Sequence, residues 1–268
     1  MRPVSRTAPR RGGWVALALP CSLMLVAATA PAMAAGCSFE LQGEGRVAAV
    51  IDARSLRLQD GREVRLAGIE PAVAEGEQAD HAAALAAIVA DREVTLRGED
   101  DAPDRYGRQP AFVFLDGSET PVQSVLLAHG EALVSATVAD KDCASVLMAA
   151  EAAARDAKRG VWADPAAIKN AESPGDILTG IGRLTVVEGK VLSVRQAGAT
   201  TYLNFGRNWT RGFAVTISRR MTAALEAAGI IVKSLENRRI RVRGWVEARG
   251  GPRIEVLRVG QIELLGAN

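Results

Sequence analysis

The sequence predicts a mainly β protein with added α-helices, built as two small β-barrels. Three observations predict it. Short apolar–polar alternations recur along the chain, separated by Gly, Asp and Pro turn signals. Alanine-rich stretches of helical length lie between them. The charge also divides. Residues 35–179 carry 14 Lys and Arg against 25 Asp and Glu, a net of −11, and residues 180–268 carry 15 against 6, a net of +9. Such asymmetry points to two domains with different partners, or to two domains that attract each other.

Residues 1–34 read as an export signal. Arg2, Arg6, Arg10 and Arg11 form a charged start, an apolar run spans 14–30, and Ala32-Met33-Ala34 is a small-x-small cleavage signal. Pro20 interrupts the run, which favours cleavage over a membrane anchor. The expected mature protein starts near Ala35 and is periplasmic. Arg10-Arg11 also permits a twin-arginine reading. Ala34-Ala35-Gly36-Cys37 permits a lipoprotein anchored at Cys37, although the leucine usual in that box is missing. Cleavage leaves two cysteines, Cys37 and Cys143. An even count in an oxidising compartment predicts a disulfide rather than two separate buried thiols. No cysteine–histidine cluster suggests zinc.

The first domain is expected over 35–163. Strands are predicted at 46–51, 55–59 and 63–68, with Asp60-Gly61 as the hairpin turn between the last two. An alanine-rich helix follows over 78–90, then a strand at 93–97, an Asp- and Pro-rich loop, and a strand at 110–115 stopped by Asp116-Gly117. A helix over 121–129 ends at Gly130, 133–136 is strand-like, and a long helix spans 142–158 with Gly160 as its stop. Five strands with helices between and after them describe a barrel with helices packed on it. Residues 164–182, rich in Pro, Gly, Ala and Asp, read as a linker. In the second domain, 183–268, strands are expected at 184–194, 200–205 and 212–217. A helix opened by Ser218 follows, then strands at 239–247 and 253–259.

Two stretches carry the functional signal, VRLAGIEPAV (64–73) and DRYGRQPAF (104–112). With the hairpin before them and the element order around them, residues 44–163 resemble the staphylococcal-type thermonuclease family. The resemblance implies an OB-fold barrel with three helices, calcium held by aspartates of a D-G-D-T turn and an I-D-x-P-E loop, a glutamate base closing that loop, and two arginines on the phosphate. Residue by residue, Arg65 and Arg108 match the two clamping arginines and Glu70 matches the second metal carboxylate. In the turn Asp52-Ala53-Arg54-Ser55, Arg54 stands at the metal ligand, and Val73 stands at the base. Calcium is expected of the family, but these replacements predict no bound metal, because a fixed cation repels calcium. Losing a general base typically costs about 10²–10⁴ in rate. Glu75 or Glu77 is a substitute base to weigh, although Glu77 also fits as an acidic residue opening the next helix. Arg54, Glu70 and Arg65 are expected to form an ion cluster in which a guanidinium replaces calcium. His81 and His129 read as ordinary helix residues.

The second domain's order, three strands, a helix and two strands, is again OB-like. YLNFGRNW (202–209) and RVRGWVE (241–247) resemble the extra C-terminal domain of some exported members of the family. Alternation puts Arg239, Arg241, Arg243 and Trp245 on one face, with Tyr202, Arg207, Trp209 and Arg211 on or near a neighbouring hairpin. Arginines interleaved with aromatics on such a face suit single-stranded nucleic acid. The same basic face equally suits docking on the acidic first domain. Three functions therefore stand open: a binding module for nucleic acid or protein with little hydrolysis, a nuclease with an altered site built on Arg65, Arg108 and Glu70, and a structural envelope protein.

Overall fold

A computed structural model describes residues 36–72, 78–99, 102–135, 137–138, 140–208 and 210–266. The export signal, Val73, Glu75, Glu77 and Trp209 lie outside the described residues.

The first half is a closed five-stranded barrel, mainly β with helices packed around it. Its strands are β1 (Glu40–Asp52), β2 (Ser55–Leu58), β3 (Glu63–Leu66), β5 (Glu93–Gly98) and β6 (Gln109–Leu115), with β4 (Ile69–Pro71) outside it. The order is β1-β2-β3-β6-β5 and back to β1. Closure rests on the length of β1. Its first part, Glu40 to Arg46, pairs with β5, and the remainder, from Val47, pairs with β2 across a bulge. Asp60 and Gly61 make the predicted turn: the Asp60 carboxylate accepts from the Arg62 amide at 3.0 Å, and Gly61 takes φ 91°.

Three helices surround the barrel: α1 (Gln78–Val89), α2 (Val122–His129) and α3 (Lys141–Asp156). Gly130 caps α2 at φ 76°, and the backbone of Arg159 comes so close that a Cβ there would sit 2.2 Å from its carbonyl oxygen. Asp140 caps α3, accepting from the Cys143 amide at 2.7 Å. A short strand β7 (Ala132–Val134) pairs with β4. Cys37 and Cys143 are joined by a disulfide that fixes α3 to the segment before β1.

Residues 164–182 are the stretch that the sequence reads as a linker. They hold a 3-10 turn at Pro165–Ala167, strand β8 (Ile168–Asn170) and helix α4 (Pro174–Leu178). Their apolar residues explain this, since Ala171 and Ile177 are fully buried in the second core. β8 runs parallel to β9 (Leu184–Lys190) at the end of the second sheet. That sheet continues with β10 (Ser193–Ala197), β11 (Thr200–Asn204), β12 (Ala214–Ser218), β13 (Arg239–Arg249), β14 (Gly251–Val256) and β15 (Ile262–Leu264). Helix α5 (Arg219–Ala227) follows β12, and the Ser218 hydroxyl accepts from the Met221 amide at its start.

The sheet order β10-β11-β12-β14-β13-β9 repeats that of the first barrel. β9 and β10 are consecutive and take the part of the long β1. Their two pairings are with β13 and β11, and β12 lies parallel to β14 as β3 does to β6. The two halves belong to one compact unit. A small apolar cluster joins them, with Ala154 of α3, Trp162 and Val186 of β9 all buried.

Candidate functional site

Three neighbouring elements build the family-like site. The β1–β2 turn holds Arg54, whose backbone amide donates to the Asp52 carboxylate at 2.9 Å. β3 carries Arg65 beside Pro110 of β6, and β4 sets Glu70 opposite Leu133 of β7. Both guanidiniums converge on Glu70, which is buried. Arg54 donates through Nη1 to Oε2, and Arg65 donates through Nη2 to Oε1 at 3.0 Å. Burial lowers the Arg65 pKa from its ordinary value, the Arg54 charge lowers it further, and Glu70 opposes both.

Arg108 stands on the turn after Gly107, whose φ of 79° a side-chain-bearing residue would adopt at a cost. It is held by Asp104, which accepts from its Nε at 3.0 Å and Nη2 at 2.7 Å, and from the backbone amides of Tyr106 and Arg108. The Arg108 side-chain hydrogen bond, foremost, pulls the Asp104 pKa down from 3.8 to about 2. The same bond raises that of Arg108. A carboxylate so depressed stabilises the fold fully above its unfolded pKa of 3.8 and loses that contribution as pH falls through about 2. Asp104→Asn should therefore flatten the fall of unfolding free energy in that acid window and leave its slope at neutral pH unchanged. Urea titrations at stepped pH measure both.

A cavity of about 100 Å³ opens beside these groups, lined by Arg65, Glu70, Ser135 and Thr137 among others. Residues 63–164 match the family model described as staphylococcal nuclease homologue. This barrel is a staphylococcal nuclease homologue domain. The match begins at β3, so the turn that bears Arg54 lies outside the matched stretch but inside the barrel. No curated protein matches the chain.

Among its described residues, the nuclease-homologue domain does not present the donor set that calcium requires, which is several oxygens from carboxylates, carbonyls and water. Each oxygen of Glu70 is taken by a guanidinium. No group of three or more His, Cys, Asp and Glu residues is placed to hold a metal among the described residues. The described residues do not fit the metal.

The basic strand of the second half is placed differently from the open face that alternation alone suggests. Arg243 is fully buried against α3 of the nuclease-homologue domain. It donates to both oxygens of Glu151, at 2.8 Å each, and to Glu263 of β15 at 2.6 Å. Glu151 also accepts from the Val134 amide at 2.6 Å. Burial would lower the Arg243 pKa, but the charges and hydrogen bonds of Glu151 and then Glu263 outweigh it, and the net shift is upward. Arg241 spans Glu188 and Glu263, at 3.0 and 3.1 Å. Thus Arg243 is closed off from a ligand and Arg241 is paired, because α3 and two carboxylates cover that end of β13.

Trp245, two residues beyond Arg243 on β13, is 47% exposed. Tyr202 sits beneath the Arg253 guanidinium, 5.5 Å from its ring centre. Arg195 lies beside Tyr202 in the ladder and is exposed, as are Arg207 and Arg211. Arg195 and Arg253 are additions that sequence reasoning missed; Arg195 is in register with Tyr202 on the neighbouring strand, whereas Arg253 reaches Tyr202 from β14, across β12. His81 places its Nδ1 2.6 Å from the Glu131 carboxylate.

Proposed function

We propose that this protein is a nuclease-fold binding module with little or no phosphodiester hydrolysis. One observation carries the reading: Arg54 and Arg65 occupy both oxygens of Glu70. With its lone pairs engaged by cations, Glu70 is a poor base for water as well as a poor metal ligand. This also weighs against the altered nuclease built on Arg65, Arg108 and Glu70. Arg108 is bound to Asp104, so an incoming phosphate has to compete with a carboxylate already in place.

Nucleic acid, as the bound partner, would engage the outer face of the second sheet, where Trp245, Tyr202, Arg253 and Arg195 remain at the surface. Stacking on such aromatics is worth about 1–3 kcal/mol per base. Purified protein incubated with single-stranded DNA or RNA in millimolar calcium should give no cutting above a chelator control. The double variant Arg54→Asp, Val73→Glu should gain calcium-dependent cutting. Calcium-dependent hydrolysis by the unaltered protein, abolished by Arg108→Ala, refutes the reading. Binding measured across a salt series should weaken in Arg253→Ala and Trp245→Ala. An absence of binding at low salt leaves a protein partner as the occupant of that face.

The place of action proposed is the periplasm. Its support is the signal-like character of residues 1–34 and a disulfide of the type that persists in oxidising compartments. Sequencing the N-terminus of the protein from the periplasmic fraction tests this. A start near Ala35 is expected, and an uncleaved chain found in the cytoplasm contradicts it.

A further inference from the structure

A second and larger recess lies between the halves, separate from the small cavity at the Glu70 cluster but meeting it at Ser135. It has a volume of about 880 Å³, within the roughly 300–1,000 Å³ range of small-molecule pockets. The start of α3 with Ser135 and Val138 forms one wall, and α5 with residues 257–263 forms the other. Its inner surface is apolar, with Val134, Met148, Met221 and Ile262 contributed by both halves. The two methionines give a lining that adapts to ligand shape.

The charges around this recess are one-sided. Lys141, Arg220 and Arg258 line it and are exposed. None of the three meets a carboxylate among the described residues, and the Arg258 guanidinium donates only to the neighbouring Leu257 carbonyl, at 3.0 Å. Glu263 is the carboxylate in the lining, and Arg243, Arg241 and Arg155 already neutralise it. An apolar recess rimmed by three uncompensated cations is complementary to an apolar body bearing a negative head. We propose that this cleft binds a free amphipathic anion, a chain or ring system ending in a carboxylate, sulfonate or phosphate. The site is independent of the nucleic-acid reading, since it uses none of the same side chains.

The test uses the full chain and 8-anilinonaphthalene-1-sulfonate as the fluorescent probe. Dodecanoate is the competitor and dodecyltrimethylammonium its matched cation, both below micelle-forming concentrations. Saturable probe binding displaced by dodecanoate is expected, with the cation at least about tenfold weaker, the ratio that two or three modest charge contacts give. The double variant Arg220→Glu, Arg258→Glu should lose roughly tenfold in dodecanoate affinity while retaining its thermal unfolding midpoint. Ser145→Trp, an exposed position on the α3 wall, should block both ligands. Absence of saturable binding overturns the proposal, and so does equal displacement by the cation. Binding untouched by Ser145→Trp places the probe elsewhere and overturns it too. Association with anionic phospholipid vesicles but not with free dodecanoate assigns the surface to a membrane and refutes the free ligand.

Discussion

Replacing Arg243 by alanine is expected to cost the folded chain about 3–5 kcal/mol, the range for breaking a buried ion pair by removing one partner. The loss comes mostly from what is left behind. Glu151 has no exposed side-chain surface and gives both oxygens to Arg243. Without that guanidinium its remaining cation is Arg155, at 3.3 Å, which burial and the Arg241 charge disfavour as a charged group. Glu263 loses a partner in the same event. Urea unfolding at neutral pH measures the effect. Glu151→Gln in the Arg243→Ala background should recover part of the loss, because the amide oxygen can still accept from the Val134 amide without carrying a charge. Arg239→Ala, whose partner Glu188 keeps Arg241, should cost less than about 1 kcal/mol. Equal losses at Arg239 and Arg243 would show that burial of the pair is not what matters.

The second large effect concerns the disulfide. Cys37 and Cys143 are both buried and separated by 106 residues in sequence. In the chain-entropy model, closing a loop of that order restricts the unfolded chain enough to stabilise the fold by about 4.7 kcal/mol. Loss of native disulfides typically costs about 2–5 kcal/mol. The double variant Cys37→Ser, Cys143→Ser should fall in this range. The unaltered protein unfolded in the presence of a reductant should show a similar loss. An unchanged midpoint under reducing conditions contradicts the bond. The Arg243 and cysteine variants share α3, so their effects are not expected to add simply.

Much of the fold was readable from residues whose chemistry is local. Asp60-Gly61 states its own turn, Gly130 its helix stop and Ser218 its cap, and none of these depends on distant partners. The Arg54–Glu70–Arg65 cluster was also readable, because the barrel's order fixes which strands lie side by side. The coverage of a face was not readable. Alternation put Arg243 on the side of β13 opposite Val242, but no periodicity says whether that side meets water or another element. A partial signal did exist. Cys143, Leu147, Glu151 and Ala154 fall at helical spacing on the buried side of α3, so a glutamate sat on an apolar stripe and needed a cation from outside the helix. The opposed charges of the two halves named the source. The ordering of 164–182 was hidden for a different reason. Its Pro and Gly content suggests a tether, while the few apolar residues that anchor it are recognisable only once the second core exists to receive them.

Helix α3 carries Cys143 and Glu151 two turns apart, and so binds the start and the finish of the described chain to one element. This sets an order on assembly. When synthesis has passed residue 164, the barrel that matches the nuclease family has all its strands, yet the buried Glu151 has only Arg155 as counter-charge and lacks its two-oxygen partner. That partner arrives on residue 243, and Glu263 follows it. The first barrel can close early but cannot reach its final depth of stability until nearly the whole chain is available. A fragment cut at the family boundary is therefore an unfinished protein.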